Sequence, residues 1–110
     1  MNTKDYEQFV ADSRVITEGN QAVNTLEYGA LGLAGETGEV VDNIKRLLRG
    51  DYSKEELRPE ILKELGDTLW YLTDLTIKLD SSLEEIMQIN YDKVQDRKQR
   101  GVQLGKGNHR

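Results

Sequence analysis

Apolar positions recur at helical spacing along most of the chain, which makes an all-α fold the first expectation. In residues 5 to 18, Tyr6, Phe9, Val10, Ser13, Ile16 and Thr17 trace a moderate stripe, and EGNQ at 18 to 21 reads as a loop. A second helix is expected from Asn24, a cap with Glu27 three residues on, to a stop at Arg49-Gly50. Its stripe is Leu26, Ala30, Leu33, Val40, Val41, Ile44, Leu47 and Leu48. Asp51 to Arg58 reads as a connector in which Ser53 and Glu56 form a capping box for a short turn. Pro59 suits the first turn of a third helix carrying Ile61, Leu62, Leu65, Leu69, Leu72, Leu75 and Leu79. Ser82 with Glu85 marks another capping box, opening a fourth helix with Leu83, Ile86, Met87, Asn90 and Val94. The expected architecture is one domain over 1–110, a four-helix bundle with an antiparallel central pair and a Gly-rich tail from 101 to 110.

Two features of the second and third helices go beyond a plain bundle. Gly29, Gly32, Gly35 and Gly38 recur every third residue inside the second helix, at a cost of about 1 kcal/mol each relative to Ala. Either something approaches the Glu36 region closely, or the helix breaks or kinks there. The other feature is a pair of acidic pairs, Glu36 with Glu39 and Glu64 with Asp67. Three residues along a helix put two side chains on one face, one turn apart. At roughly 100° per residue, both apolar stripes centre near 80° from the first acid, and both second acids fall near −60°. The acids thus sit on the same-handed flank of each stripe, and antiparallel packing brings such flanks to one side of the pair. A connector of about eight residues favours that arrangement and places the acids at matching heights. Four such carboxylates repel unless a cation joins them, and an all-oxygen set suits Mg²⁺ or Mn²⁺. The plainer alternative is that these are solvated acids flanking an apolar stripe.

Charge and composition narrow the classes. Fifteen basic against twenty acidic residues give a net charge of −5, which argues against binding a nucleic acid polymer. The absence of Cys excludes disulfides and Cys-based zinc sites, and the lone His109 leaves no Glu-x-x-His pairs for a di-iron bundle. No apolar run approaches the ~20 residues of a membrane span, and the N-terminus is not a signal peptide, so a cytoplasmic location is expected. On the fourth helix Asn90, Lys93 and Arg97 share the core side, where cations beside a carboxylate–metal cluster could hold phosphate oxygens. A fraying helix whose long side chains snorkel to water is the alternative. Tyr71 lies one turn beyond Asp67 on the acidic flank and is a candidate substrate contact, whereas Trp70 reads as core or interface.

LEYGALGLAGETGEVVDNIKRLLRG, then EILKELGDTLWYLTDL, then SSLEEIMQINYDKVQDRKQRG resemble the MazG-like family of all-α nucleoside triphosphate pyrophosphohydrolases, over roughly Asn24 to Gly105. Glu-x-x-Glu alone is weak; set in GLAGE-GE and followed by Glu64-Leu-Gly-Asp67, Asn90, Lys93 and Arg97, it is specific. The resemblance implies hydrolysis of a nucleoside triphosphate between the α and β phosphates, to monophosphate and pyrophosphate. Glu36, Glu39, Glu64 and Asp67 would match the Mg²⁺ ligands, one glutamate handling the attacking water. Lys93 and Arg97 would match the phosphate-binding cations, with Asn90 beside them. Homodimers or homotetramers with active sites near the subunit interface are also implied. The GKGNHR tail departs from the Gly-Ser-Gly-Asp-Asn-Arg ending of close relatives. Competing readings are a narrower relative acting on dUTP or phosphoribosyl-ATP, and a non-catalytic bundle serving assembly.

Overall fold

The computed structural model describes residues 1–14 and 21–101. Within them the chain forms α1 (Thr3–Ser13), one 3₁₀ turn (Ala22–Asn24), α2 (Leu26–Arg49), α3 (Lys54–Lys78) and α4 (Leu83–Arg100), with no strand. The architecture is all-α, as expected from the periodicity. Ile16, Thr17 and most of the EGNQ loop lie outside the described residues.

α2 and α3 make the centre, and local chemistry sets their ends. Thr25, not Asn24, caps α2: its backbone is extended and its side chain accepts from the Tyr28 N–H, while Asn24 is held in the 3₁₀ turn and donates to Gln21. Gly50 ends α2 at φ +80, where Asp51 N–H reaches the Arg46 carbonyl and Gly50 N–H reaches that of Leu47. The capping box of Ser53 and Glu56 does not serve a separate short turn; it opens α3 itself. The true connector is therefore only residues 50–53, and Pro59 lies inside the helix rather than in its first turn. At α4, Ser82 accepts from the Glu85 N–H, but the Glu85 carboxylate accepts from Ser81, so only half of that expected box forms.

α2 runs unbroken through its glycines, which excludes the break. Gly29 faces Leu75 and Asp74, where an added Cβ would come within 3.0 and 3.1 Å, and a Cβ on Gly32 would overlap the Tyr71 ring. Gly35 and Gly38 have nothing within 4 Å. The first two glycines thus let α3 approach, and the approach is antiparallel: Gly29 meets Leu75, Gly32 meets Tyr71, and Glu36 lies near Asp67.

α1 and α4 both dock on α3. Asp74, 1% exposed, ties α1 down by accepting from Arg14 Nε at 2.6 Å, and Lys78 Nζ also lies 2.6 Å away. Lys78 also donates to the Thr25 carbonyl at 2.9 Å, so one buried carboxylate links three segments. Breaking such a pair costs about 3–5 kcal/mol, because a buried charge is left alone. The expected apolar core, by contrast, is only partly closed. Val10, Leu57 and Leu83 are the buried hydrophobic residues among those described, whereas Leu48 is 83% and Val41 61% exposed. With α1 and α4 packed on α3 rather than on α2, the stripes of the central pair stay partly uncovered.

The glycine contacts give opposite expectations at neighbouring positions. Gly32→Ala should destabilise by about 1–3 kcal/mol through collision with a rigid ring. Gly35→Ala should stabilise by up to about 1 kcal/mol from helix propensity alone. Urea unfolding of both variants checks this, and equal effects would show that Tyr71 does not set the helix separation.

Candidate functional site

The antiparallel register carries the acids of both helices to one height. Glu36 from α2 and Glu64 and Asp67 from α3 can each place a carboxylate oxygen within 4.8 Å of the others. Glu36 and Glu64 are half-buried and Asp67 is exposed. Glu39 is not in this triad; it is exposed one turn further along α2 and lines the next cleft together with Glu64. Local bonds fix the backbone on each side: Thr37 donates to the Leu33 carbonyl and Thr68 to that of Glu64.

Crowding shows in the electrostatics. The Glu36 carboxyl is pushed above its ordinary value of 4.5, first by burial, then by the charges of Asp67 and Glu64, with a Glu64 hydrogen bond and Glu39 contributing. The Tyr6 phenol on α1 is raised by burial and by Asp67. Such a set of hard oxygens, short of positive charge, has the donor chemistry of a Mg²⁺ or Mn²⁺ site.

Beside the triad lies a cavity of about 340 Å³ whose walls include Glu36 and Asp67. Tyr28, Trp70 and Tyr71 supply its aromatic side: Trp70 meets Tyr71 edge-on at 5.0 Å, and Tyr28 lies 6.4 Å from Tyr71. Ser13 and Arg14 close it from α1. Trp70 Nε1 donates to Ser13 Oγ at 3.0 Å, which locks the indole in the wall. Tyr71 was a candidate from its place on the helix. Trp70, Tyr28, Ser13 and Arg14 were not, because their meeting depends on how α1 folds back.

The α4 residues are placed elsewhere. Asn90 is exposed at the edge of an apolar groove that α3 forms with α1 and α4, where Leu69, Leu72 and Ile86 also lie. Lys93 is exposed and Arg97 half-buried, its Nε without a hydrogen-bond partner among the described residues. None of the three lines the cavity beside the acids.

The model of the MazG nucleotide pyrophosphohydrolase domain matches residues 24–102. The chain belongs to this family. Its match begins just before α2 and ends just after α4, so both acid-bearing helices of the MazG domain lie within it. The chain is also similar to the Gene 37 protein of Mycobacterium phage L5, 36% identical over 111 residues, covering 96% of this chain and 97% of that protein. No solved structure matches the chain. Among the described residues, no helix is long and apolar enough to cross a membrane.

The raised Glu36 value fixes a pH dependence. A carboxyl that binds its proton more tightly folded than unfolded makes stability fall as pH rises from about 4.5 through the raised value. Glu36→Gln should therefore melt higher than the wild type at pH 7 in chelator and similarly to it near pH 4. Adding Mg²⁺ should raise the wild-type melting temperature more than that of the variant. A wild type whose melting is indifferent to pH and Mg²⁺ would show that the triad stores no repulsion.

Proposed function

We propose that this MazG domain is a Mg²⁺-dependent nucleoside triphosphate pyrophosphohydrolase, cleaving between the α and β phosphates to give a monophosphate and pyrophosphate. The observation that carries this reading is the convergence of Glu36, Glu64 and Asp67 beside an aromatic-walled cavity. Glu36, Glu64 and Asp67 would hold the cation, with Glu39 one turn away completing the acidic set. A cation bound there supplies charge neutralisation for phosphate oxygens and makes a nearby water more acidic. Mn²⁺ fits the same oxygens.

The protein's own part is positioning. The walls formed by Tyr28, Trp70 and Tyr71 would take the base or sugar by stacking, leaving the phosphates toward the acids. A glutamate of the set orients or deprotonates the water that attacks phosphorus. The P–O bond to the bridging oxygen then breaks and pyrophosphate departs. Lys93, Arg97 and Asn90 are assigned to the phosphates, delivered by a second copy, since within one chain they lie away from the cavity. The exposed stripes of α2 and α3 support a homodimer or homotetramer of single-domain subunits. Leu48 is 83% and Leu31 74% exposed, and removing such surface from water contributes about 25 cal/mol per Å².

Released pyrophosphate, measured across the ribo- and deoxynucleoside triphosphates with Mg²⁺ or chelator, tests the reading. Asp67→Asn and Glu39→Gln should each lower turnover by at least about a hundredfold while helical circular dichroism persists. Release from one nucleotide alone would favour a narrower hydrolase, and none from any would favour an assembly protein. Sedimentation supplies a separate check: Leu48→Glu should shift the oligomer toward monomer and reduce turnover with it. A wild type that sediments as a monomer and is fully active would remove the second copy from the site.

A further inference from the structure

Along α3 the cavity beside the triad has two chemically different ends. Asp67 marks one, Trp70 and Tyr71 form the middle, and Asp74 lies two turns on, about 10 Å further along the helix axis. α2 runs past in the same order, with Glu36 near Asp67, Gly32 against Tyr71 and Gly29 against Asp74. The end away from the acids is closed by Arg14, which lines the cavity from the C-terminal cap of α1. Arg14 lies outside residues 24–102, the stretch that the MazG domain model matches, so this end is built by a part of the chain that the model does not include.

Arg14 is held there but not used up. Its Nε donates to Asp74 Oδ1 at 2.6 Å, which fixes the guanidinium. Its Nη2 is cut off from water and has no hydrogen-bond partner among the described residues. The neighbouring polar groups are engaged. Ser13 Oγ donates to the Val10 carbonyl at 3.2 Å and accepts from Trp70 Nε1 at 3.0 Å. Lys78 spreads its charge over Asp74, the Thr25 carbonyl and the Tyr28 ring, whose centre is 5.7 Å away. One buried carboxylate thus serves two cations, and the surplus positive charge and the unmatched donor both fall to Arg14. A buried donor without a partner is unfavourable, and an acceptor on a guest relieves it. A guanidinium carries donors only, so it favours a carbonyl oxygen and disfavours an amino group. Phosphate oxygens suit it too, but a cation at the acids draws those to the opposite end, with the aromatic walls between.

We infer that Arg14 reads the base in this cavity, selecting nucleotides whose base turns a carbonyl oxygen toward it. Guanine, hypoxanthine, uracil and thymine have that oxygen where adenine and cytosine have an amino group. The inference rests on the nucleotide reading of the cavity and adds a substrate class to it. Arg14 stands away from the reacting atoms and sets specificity alone.

The α,β-methylene analogues of inosine and adenosine triphosphate test it. Their bases carry oxygen or an amino group at carbon 6, and neither can be cleaved at the carbon bridge. Calorimetric titration of the full chain in Mg²⁺ should show the inosine analogue binding at least about tenfold tighter. Arg14→Gln offers an acceptor as well as a donor and should bring the two within about twofold, chiefly by weakening the inosine analogue. Arg14→Lys is the second variant should the first not fold: its single ammonium is taken by Asp74, and the preference should fall there too. Equal wild-type affinities, failure of both analogues to bind, or a preference that survives both variants would overturn the inference. Equal weakening of both analogues by Arg14→Gln would also overturn it, by putting Arg14 on the phosphates. Pyrophosphate release from oxo- and amino-base triphosphates alike sinks this inference and leaves the hydrolase reading standing; the binding preference without any turnover does the reverse.

Discussion

The close approach of α2 to α3 at Gly29 and Gly32 is the constraint on which the rest depends. With side chains at those positions the two helices would stand further apart, since Gly32 already sits against the Tyr71 ring. Closeness at one end, together with the short turn at Gly50–Ser53, fixes the register along the whole pair. Register in turn decides which acids face one another. The burial and the repulsion that raise the Glu36 carboxyl are thus consequences of packing, and they persist because apolar contacts and the Asp74 ion cluster resist separation.

The same arrangement leaves the hydrophobic work unfinished. A helical pair flanked on one side cannot bury both its stripes, and the exposed Leu31, Val41, Leu48, Leu62 and Leu65 are the result. Apolar surface of that extent on a small domain marks a contact surface. In the proposed oligomer it would also account for α4 carrying its cations away from the cavity of its own chain.

How much of this was legible in the sequence follows from the range of each interaction. The acidic pairs were legible because i,i+3 spacing on a helix is a local geometric fact, and antiparallel pairing followed from a short connector. The unbroken α2 was left open, since a glycine inside a helix looks the same whether it admits a neighbour or faces water. Gly32 and Gly35 do one each, and only the position of Tyr71 tells them apart. The walls from α1 were not legible at all. Trp70 meets Ser13 across 57 positions and Arg14 meets Asp74 across 60, and no periodicity encodes those meetings. For α4, the helical wheel put Asn90, Lys93 and Arg97 on the core side, whereas Asn90 and Lys93 are exposed and only Arg97 is half-buried, because a wheel cannot say which neighbour a face will meet.

Trp70 has one further consequence. It is the sole tryptophan of the chain, it lines the cavity beside Glu36 and Asp67, and its indole nitrogen is tethered to α1 through Ser13. Its emission therefore reports from a single address. A guest stacked on the indole would quench it, and loss of the α1 tether would shift its colour, so the native chain carries its own optical gauge of occupancy without any label being attached.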